Sequence, residues 1–376
     1  MVYLTISNNP KAINGFSNYK QLIVAVWVTI VSVGVGAQAP AGYYAPAYGK
    51  TGAQLKTALY GVLSDPYVSQ TYDFLYTIYE RSDSREDGSV WDMYSKCSWT
   101  HREKLCGNQS RICDCYNREH SIPASWFGNA APMYTDAFHL YPTDGRVNNF
   151  RGNLPFGEAA NGVMDTKNPS DTNGLGRWGA STFPGYSGTV FEPVDEYKGD
   201  FARTYFYFAT RYENYMTSLS STNALSFNRT TYPAFTDWSL SLFLKWHRQD
   251  PVSQKEITRN NVIYEYQENR NAFIDHPLLA EYIWGTLKGT PWNVTGFTSP
   301  AELAARFQFN ATERAMLTAA DLGEARYEVV NISGVRLMSG SLLGGDAVSV
   351  ASLGQGVYFF RIDTGELKAV KKFIVH

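Results

Sequence analysis

Residues Cys115–Phe127 read CYNREHSIPASWF and contain the first strand of the predicted fold. A second stretch, Thr135–Asn153, follows closely and reads TDAFHLYPTDGRVNNFRGN. It combines a strand-like run, a turn at Pro142–Gly145 and a short helical pattern that carries Asn148. The predicted order is strand, strand, helix. This order places a histidine at the end of one strand opposite an asparagine on the helix.

The residue types in these two stretches suit the hydrolysis of a phosphodiester bond. That reaction needs an activated water, a cation that neutralises charge on the phosphate, and help for the leaving oxygen. A neutral imidazole such as that of His120 can take the proton of the water near pH 7. The carboxylate of Glu119 and the amide oxygen of Asn148 are hard ligands suited to Mg²⁺. The Glu-His dipeptide alone is a weak indication, because single histidines are more often structural.

The two stretches resemble the endonuclease I family of periplasmic and secreted nucleases. Similar features continue in order from about residue 50 to residue 285, in Ala202–Tyr207, Leu244–Val252, Arg259–Asn261 and Gln267–Pro277. The resemblance implies an α+β fold, namely a ββα-metal (His-Me finger) nuclease domain with a mainly helical surround. Helix signals in the second half agree with this, including a capping box at Ser253–Glu256.

The resemblance also implies roles for individual residues. His120 matches the general base, and Glu119 and Asn148 match the ligands of one divalent cation, Mg²⁺ or another. Two arginines in matching motifs, Arg151 in RGN and Arg203 in ART, have phosphate or structural roles between which the sequence does not decide. We take Arg151 as a further catalytic candidate. The substrate-binding candidates are Arg118 and Arg203.

Composition indicates a globular protein and says little about the substrate. The chain has 376 residues, of which 44% are hydrophobic and 18% charged, and this excludes a disordered chain. The formal net charge of −2 does not identify a nucleic-acid binder. Residues 96–120 hold five Lys or Arg against three acidic residues, which is only a weak local excess. Three further histidines are assigned packing or hydrogen-bonding roles: His139, His247 and His276.

The N-terminus has the pattern of a secretory signal peptide. Lys11 and Lys20 precede the apolar run Leu22–Val31, and small residues follow up to Ala39. The run is short for a membrane span, so we predict a signal peptide over residues 1–39 and no stable membrane span. A retained anchor is the alternative.

Export makes the cysteines interpretable. All four lie within nineteen residues, and in an oxidising compartment they predict two disulfides with three possible connectivities. A zinc site is the alternative, but the spacing lacks paired C-x-x-C knuckles. The disulfide candidates are Cys97, Cys106, Cys113 and Cys115.

The chain changes character after the nuclease motifs. We predict a nuclease domain over residues 40–285 and a linker over 286–305, where breakers such as Thr298–Pro300 occur. Residues 306–376 alternate apolar residues with glycine turns and predict a small C-terminal β-sandwich. They resemble the sorting domains of type IX secretion cargo in Tyr327–Arg336, Leu353–Arg361 and Lys371–Val375. That resemblance implies the type IX secretion machinery as a partner, and secretion or cell-surface display via the periplasm.

The sequence therefore predicts a secreted, metal-dependent endonuclease that hydrolyses DNA or RNA. The family resemblance implies products with 5′-phosphate ends. Contacts to the nucleic-acid backbone would give little sequence specificity. Two alternatives remain, a catalytically inert surface-binding protein on a nuclease scaffold and an enzyme confined to a narrow substrate. The joint presence of Glu119, His120 and Asn148 favours an active enzyme.

Overall fold

A computed structural model describes residues 39–40, 42–106, 109–160, 171–292, 300–319, 325–342, 345–364 and 367–376. The predicted signal peptide, residues 1–39, lies outside these ranges except for Ala39. Within the described ranges, no helix is long and apolar enough to cross a membrane.

The part of the chain that carries the nuclease motifs is mainly helical. Its helices are α1 Gly52–Ser64, α2 Leu75–Ser82, α3 Gly145–Arg151, α4 Lys198–Arg211, α5 Asp237–Gln249, α6 Gln254–Gln267, α7 Ala272–Asp275 and α8 Leu279–Ile283. Two antiparallel pairs of short strands accompany them, β1 Tyr116–His120 with β2 Leu140–Asp144, and β3 Arg177–Ala180 with β4 Thr189–Glu192. This composition agrees with the predicted α+β class.

Helix α4 runs through the centre of the hydrophobic core. Every residue from Gly199 to Arg211 is buried, and a helix that is buried on all sides must satisfy its polar groups internally. Thr204 does so by a hydrogen bond with the hydroxyl of Tyr141 in β2, at 2.6 Å. Helix α4 therefore contacts the β1–β2 pair from the side of the hydrophobic core.

The β1–β2–α3 unit confirms the predicted order of strand, strand and helix. Strand β1 pairs antiparallel with β2, with Glu119 opposite Tyr141. Helix α3 begins directly after β2, because Asp144 caps it by accepting hydrogen bonds from the backbone amides of Arg146 and Val147. A helix that starts at the last residue of a strand leaves its first turns beside the neighbouring strand. The unit therefore places Asn148 beside Asn117, near the start of β1.

Helix α6 shows how local sequence signals set an element. Ser253 accepts a hydrogen bond from the backbone amide of Glu256, and the Glu256 side chain accepts one from the backbone of Ser253. This is the predicted capping box. Glu256 serves a second purpose that the motif does not reveal, because its carboxylate also pairs with Arg203 of α4.

The C-terminal part has a hydrophobic core of its own, which includes Leu303, Phe307, Met316, Val329 and Phe360. Helix α9 Pro300–Ala305 precedes strands β5 Phe307–Asn310, β6 Ala315–Thr318, β7 Ala325–Asn331, β8 Arg336–Leu342, β9 Ala347–Ser349, β10 Gly356–Asp363 and β11 Lys368–Val375. The strands form one sheet in the order β11-β10-β7-β8 and another in the order β5-β6-β9. Helix α9 falls in the span predicted as a linker. Leu303 of this helix is buried in the C-terminal core, a contact that the sequence pattern did not reveal.

Candidate active site

Five of the six predicted site residues line one cavity of about 230 Å³. Strand β1 contributes three of them and helix α3 the other two. The cavity is lined by Arg118, Glu119, His120, Asn148 and Arg151, together with Pro123, Ala124, Asn149, Gly152 and Asn153. The sixth residue, Arg203, lies elsewhere.

Glu119 is a nearly buried carboxylate with one engaged oxygen. Its Oε1 accepts hydrogen bonds from the hydroxyl of Tyr94 at 3.0 Å and from Nη1 of Arg151 at 2.8 Å. Burial raises the pKa of Glu119 to about 7, against the opposing charge of Arg151. No residue in the described ranges donates a hydrogen bond to the second oxygen, Oε2. A cation at the cavity would neutralise the negative charge on this oxygen and favour the ionised carboxyl group.

Asn148 supplies the second oxygen expected of a cation site. Its Nδ2 donates a hydrogen bond to Oδ1 of Asn117 at 2.8 Å, which leaves the amide oxygen of Asn148 as the available ligand atom. A carboxylate and an amide oxygen that line the same cavity suit Mg²⁺, which keeps several of its waters and needs few protein ligands. The residues present therefore fit the divalent cation that the family resemblance implies. No group of three or more His, Cys, Asp or Glu side chains in the described ranges forms a richer site.

His120 is held in the state that a general base requires. Its Nε2 lies 3.0 Å from the carbonyl oxygen of Tyr134. A carbonyl can only accept, so Nε2 carries the proton and Nδ1 has the free lone pair. Burial, and secondarily the neighbouring His139, lowers the pKa of His120 to about 3. The imidazole is therefore neutral at any pH near 7, and its orientation is fixed by Tyr134 and by the stacked ring of Tyr72.

Arg151 joins helix α3 to the end of β1. It is only 1% exposed, and besides Glu119 it donates to the carbonyl oxygens of His120, at 2.7 Å, and Ser121. Both terminal nitrogens are thus used inside the protein. This geometry favours the structural alternative over a direct phosphate contact, although the sequence made Arg151 a catalytic candidate.

The structure does not bring Arg203 to the cavity. It is fully buried in α4, where it pairs with Glu256 and donates to the carbonyl oxygen of Asp250 at 2.7 Å. A phosphate could reach it only if the core opened. The sequence made Arg203 a substrate-binding candidate and left a structural role open. Its burial supports the structural role.

Arg118 is the predicted substrate-binding residue that does reach the cavity. Its guanidinium lies over the rings of Tyr72 and Tyr76, with its central carbon 3.6 and 4.4 Å from their centroids. Nη1 donates to the carbonyl oxygen of Tyr72 at 2.7 Å, whereas Nη2 has no hydrogen-bond acceptor among the residues that the structure describes. Arg118 is therefore positioned to offer a donor to an anion.

The four cysteines form two disulfides, as predicted, and the structure selects the connectivity Cys97–Cys113 and Cys106–Cys115. Both bonds hold the β1–β2–α3 unit. The backbone amide of Cys113 donates to Oδ2 of Asp144, the N-cap of α3, at 2.8 Å. The backbone carbonyl of Cys115 accepts from the amide of Gly145, the first residue of α3.

We expect reduction of the two disulfides to impair both stability and cleavage. The loop would lose its attachment to the start of α3, and each disulfide contributes about 2–5 kcal/mol of stability in small exported domains. Thermal unfolding and cleavage rate, measured before and after dithiothreitol treatment followed by alkylation, check this. An alkylated protein with unchanged unfolding temperature and rate would show that the disulfides do not support the site.

Sequence reasoning missed three residues that position this site. Tyr94 holds Glu119, Asn117 holds Asn148, and Asp144 caps α3. Asp144 could have been found, since an aspartate directly before a helical pattern is a typical N-cap. Neither Tyr94 nor Asn117 carries a motif of its own, because each acts through a contact that exists only in the folded chain.

Comparison with known proteins identifies the family of this chain. Residues 51–278 match the model of the Endonuclease I family. The chain is 35% identical over 266 residues to an extracellular ribonuclease of Bacillus amyloliquefaciens. It is also 35% identical over 249 residues to an extracellular ribonuclease of Bacillus subtilis (strain 168). Each match covers 64% of this chain and 78% of the relative. The extracellular relatives and the two disulfides fit a secreted protein. The chain belongs to the endonuclease I family and is a nuclease.

Proposed function

We propose that this nuclease is a metal-dependent endonuclease in which Glu119 and Asn148 hold one divalent cation and His120 is the general base. The observation that carries the proposal is the convergence of these three side chains on one cavity. Family membership and the complete set of side chains favour an enzyme over the inert surface-binding alternative.

The chain's own groups account for the proton transfer. Nδ1 of His120 removes a proton from the attacking water, while the carbonyl of Tyr134 holds the opposite ring nitrogen. Burial lowers the pKa of His120, which keeps Nδ1 unprotonated before the reaction. Arg118 would contact an oxygen of the phosphate through its available nitrogen. A bound divalent cation would neutralise charge on the phosphate and assist departure of the leaving oxygen.

We propose both DNA and RNA as substrates, cleaved with little sequence specificity. An activated water attacks phosphorus directly, so the mechanism does not use the ribose 2′-hydroxyl. The curated relatives are named ribonucleases, which supports RNA as one substrate. Contacts to phosphates carry no sequence information, and this supports a broad choice of sites.

The chemistry of the product ends tests this function. Plasmid DNA and a structured RNA, each incubated with the purified protein and Mg²⁺, should both yield 5′-phosphate and 3′-hydroxyl ends. Ligation without prior phosphorylation and mass spectrometry of the fragments read the ends directly. RNA fragments that end in 2′,3′-cyclic phosphates, with intact DNA, would indicate attack by the 2′-hydroxyl and would refute the proposal.

We further propose that residues 306–376 form a β-sandwich that acts as a sorting module for the type IX secretion machinery. A signal peptide over residues 1–39 would first bring the chain to the periplasm, and the module would direct it to the exterior or the cell surface. The two sheets and their separate hydrophobic core support a module of this kind.

Removal of residues 300–376 should leave nuclease activity within about twofold of the full-length rate. The residues assigned to catalysis all precede Gly285, and among the described residues the core of the nuclease part includes none from this segment. In the native host the truncated protein should fail to reach the culture medium. A truncated enzyme that unfolds, or that is secreted undiminished, would favour a stabilising role for the module.

A further inference from the structure

We propose that Asn117 is a positioning residue that turns the side-chain oxygen of Asn148 toward the cation. The inference rests on the proposed function, because it assumes that Asn148 is a ligand of the metal. Asn117 lies in β1 two residues before Glu119, and alternate residues of a strand share a face. Strand β1 therefore supplies one ligand, Glu119, and the group that orients the other.

The contact that carries the inference is the hydrogen bond from Nδ2 of Asn148 to Oδ1 of Asn117, at 2.8 Å. The two ends of an asparagine amide are nearly equal in size but opposite in function, since one only donates and the other only accepts. A half-turn of the Asn148 side chain would present its NH₂ group to the cation in place of its oxygen. In the structure Oδ1 of Asn117 faces Nδ2 of Asn148, and this pairing leaves the oxygen of Asn148 free.

The framework around Asn117 is fixed independently of the metal. Asn117 pairs with Thr143 in the β1–β2 ladder, and Asp144, the next residue, caps α3. The separation between Asn117 and Asn148 is thus set by the backbone of the β1–β2–α3 unit. A change at Asn117 should consequently alter the orientation of one amide rather than the fold.

The test compares Asn117→Ala with Asn117→Asp in the full-length protein. Aspartate keeps an acceptor at this position and alanine removes it. Binding of Mn²⁺ in the absence of nucleic acid, followed by electron paramagnetic resonance, is the direct measurement, and the Mg²⁺ concentration for half-maximal cleavage is the second. Thr143→Val is the matched control, because it changes the opposite position of the same ladder pair and the Thr143 hydroxyl has no described hydrogen-bond partner.

We expect Asn117→Ala to weaken Mn²⁺ binding by about 10-fold, as is typical when a residue that orients a metal ligand is lost. The half-activating Mg²⁺ concentration should rise in parallel, while kcat at saturating Mg²⁺ stays near the wild-type value. Asn117→Asp should bind Mn²⁺ at least as tightly as the wild-type protein, and Thr143→Val should bind it equally.

Two results would overturn the positioning role alone. One is wild-type Mn²⁺ affinity in Asn117→Ala, and the other is an equal loss in the alanine and aspartate variants, which would indicate a structural effect. A wild-type protein that binds no Mn²⁺ and cleaves without metal would instead overturn the proposed function, and the inference with it.

Discussion

Replacement of His120 by alanine should lower the cleavage rate by about 10²–10⁴-fold, the usual contribution of a general base. The variant loses the imidazole of His120, which is the only histidine among the described residues that line the cavity. The variant keeps Glu119, Asn148 and Arg118, so its affinity for nucleic acid should change little. Single-turnover cleavage of plasmid DNA gives the rate, and a gel-shift assay with Ca²⁺ gives the affinity.

His101→Gln is a matched control for His120→Ala. His101 bonds to the hydroxyl of Ser84 and does not line the cavity. The His101→Gln variant should therefore cleave at the wild-type rate. Turnover by His120→Ala within a few-fold of the wild-type rate would rule out His120 as the general base.

Glu119→Ala and Asn148→Ala should both raise the Mg²⁺ concentration needed for half-maximal cleavage, each by at least about 10-fold. Each variant removes an oxygen from a site that has few protein ligands. The two differ in stability, because Glu119→Ala leaves Arg151 buried without its counter-ion. Breaking a buried ion pair in this way costs about 3–5 kcal/mol.

Thermal unfolding and the half-activating Mg²⁺ concentration, measured on both variants, separate an effect on metal binding from an effect on stability. Thermal unfolding should show a large loss for Glu119→Ala and a small one for Asn148→Ala, whereas the Mg²⁺ titration should show a shift for both. An unchanged half-activating Mg²⁺ concentration in both variants would mean that the cation is bound elsewhere.

Local signals made the centre of the fold predictable. A strand-like run, a turn and a short helical pattern follow one another between Thr135 and Asn153, and each is determined within a few residues of chain. The structure keeps that order in β2 and α3, and it keeps the capping box at Ser253. Patterns of this kind are predictable because they depend on hydrogen bonds between residues that are close together in the chain.

Long-range contacts bear on the points that the sequence left open. Arg203 occurs in a motif that suggested substrate binding, but its partner Glu256 lies 53 residues away and only the fold shows that the pair is buried. Tyr94 approaches Glu119 across 25 residues. The disulfide connectivity was likewise undetermined, because four closely spaced cysteines are compatible with every pairing until the loop is folded.

In the proposed mechanism, one divalent cation, held by Glu119 and Asn148, acts with His120 in phosphodiester cleavage. Its most direct test is the rate at which the purified wild-type protein nicks supercoiled plasmid DNA in excess EDTA, followed by addition of Mg²⁺ beyond the chelator. We expect nicking to stop in EDTA and to return to its original rate with Mg²⁺. Undiminished nicking in EDTA would contradict it.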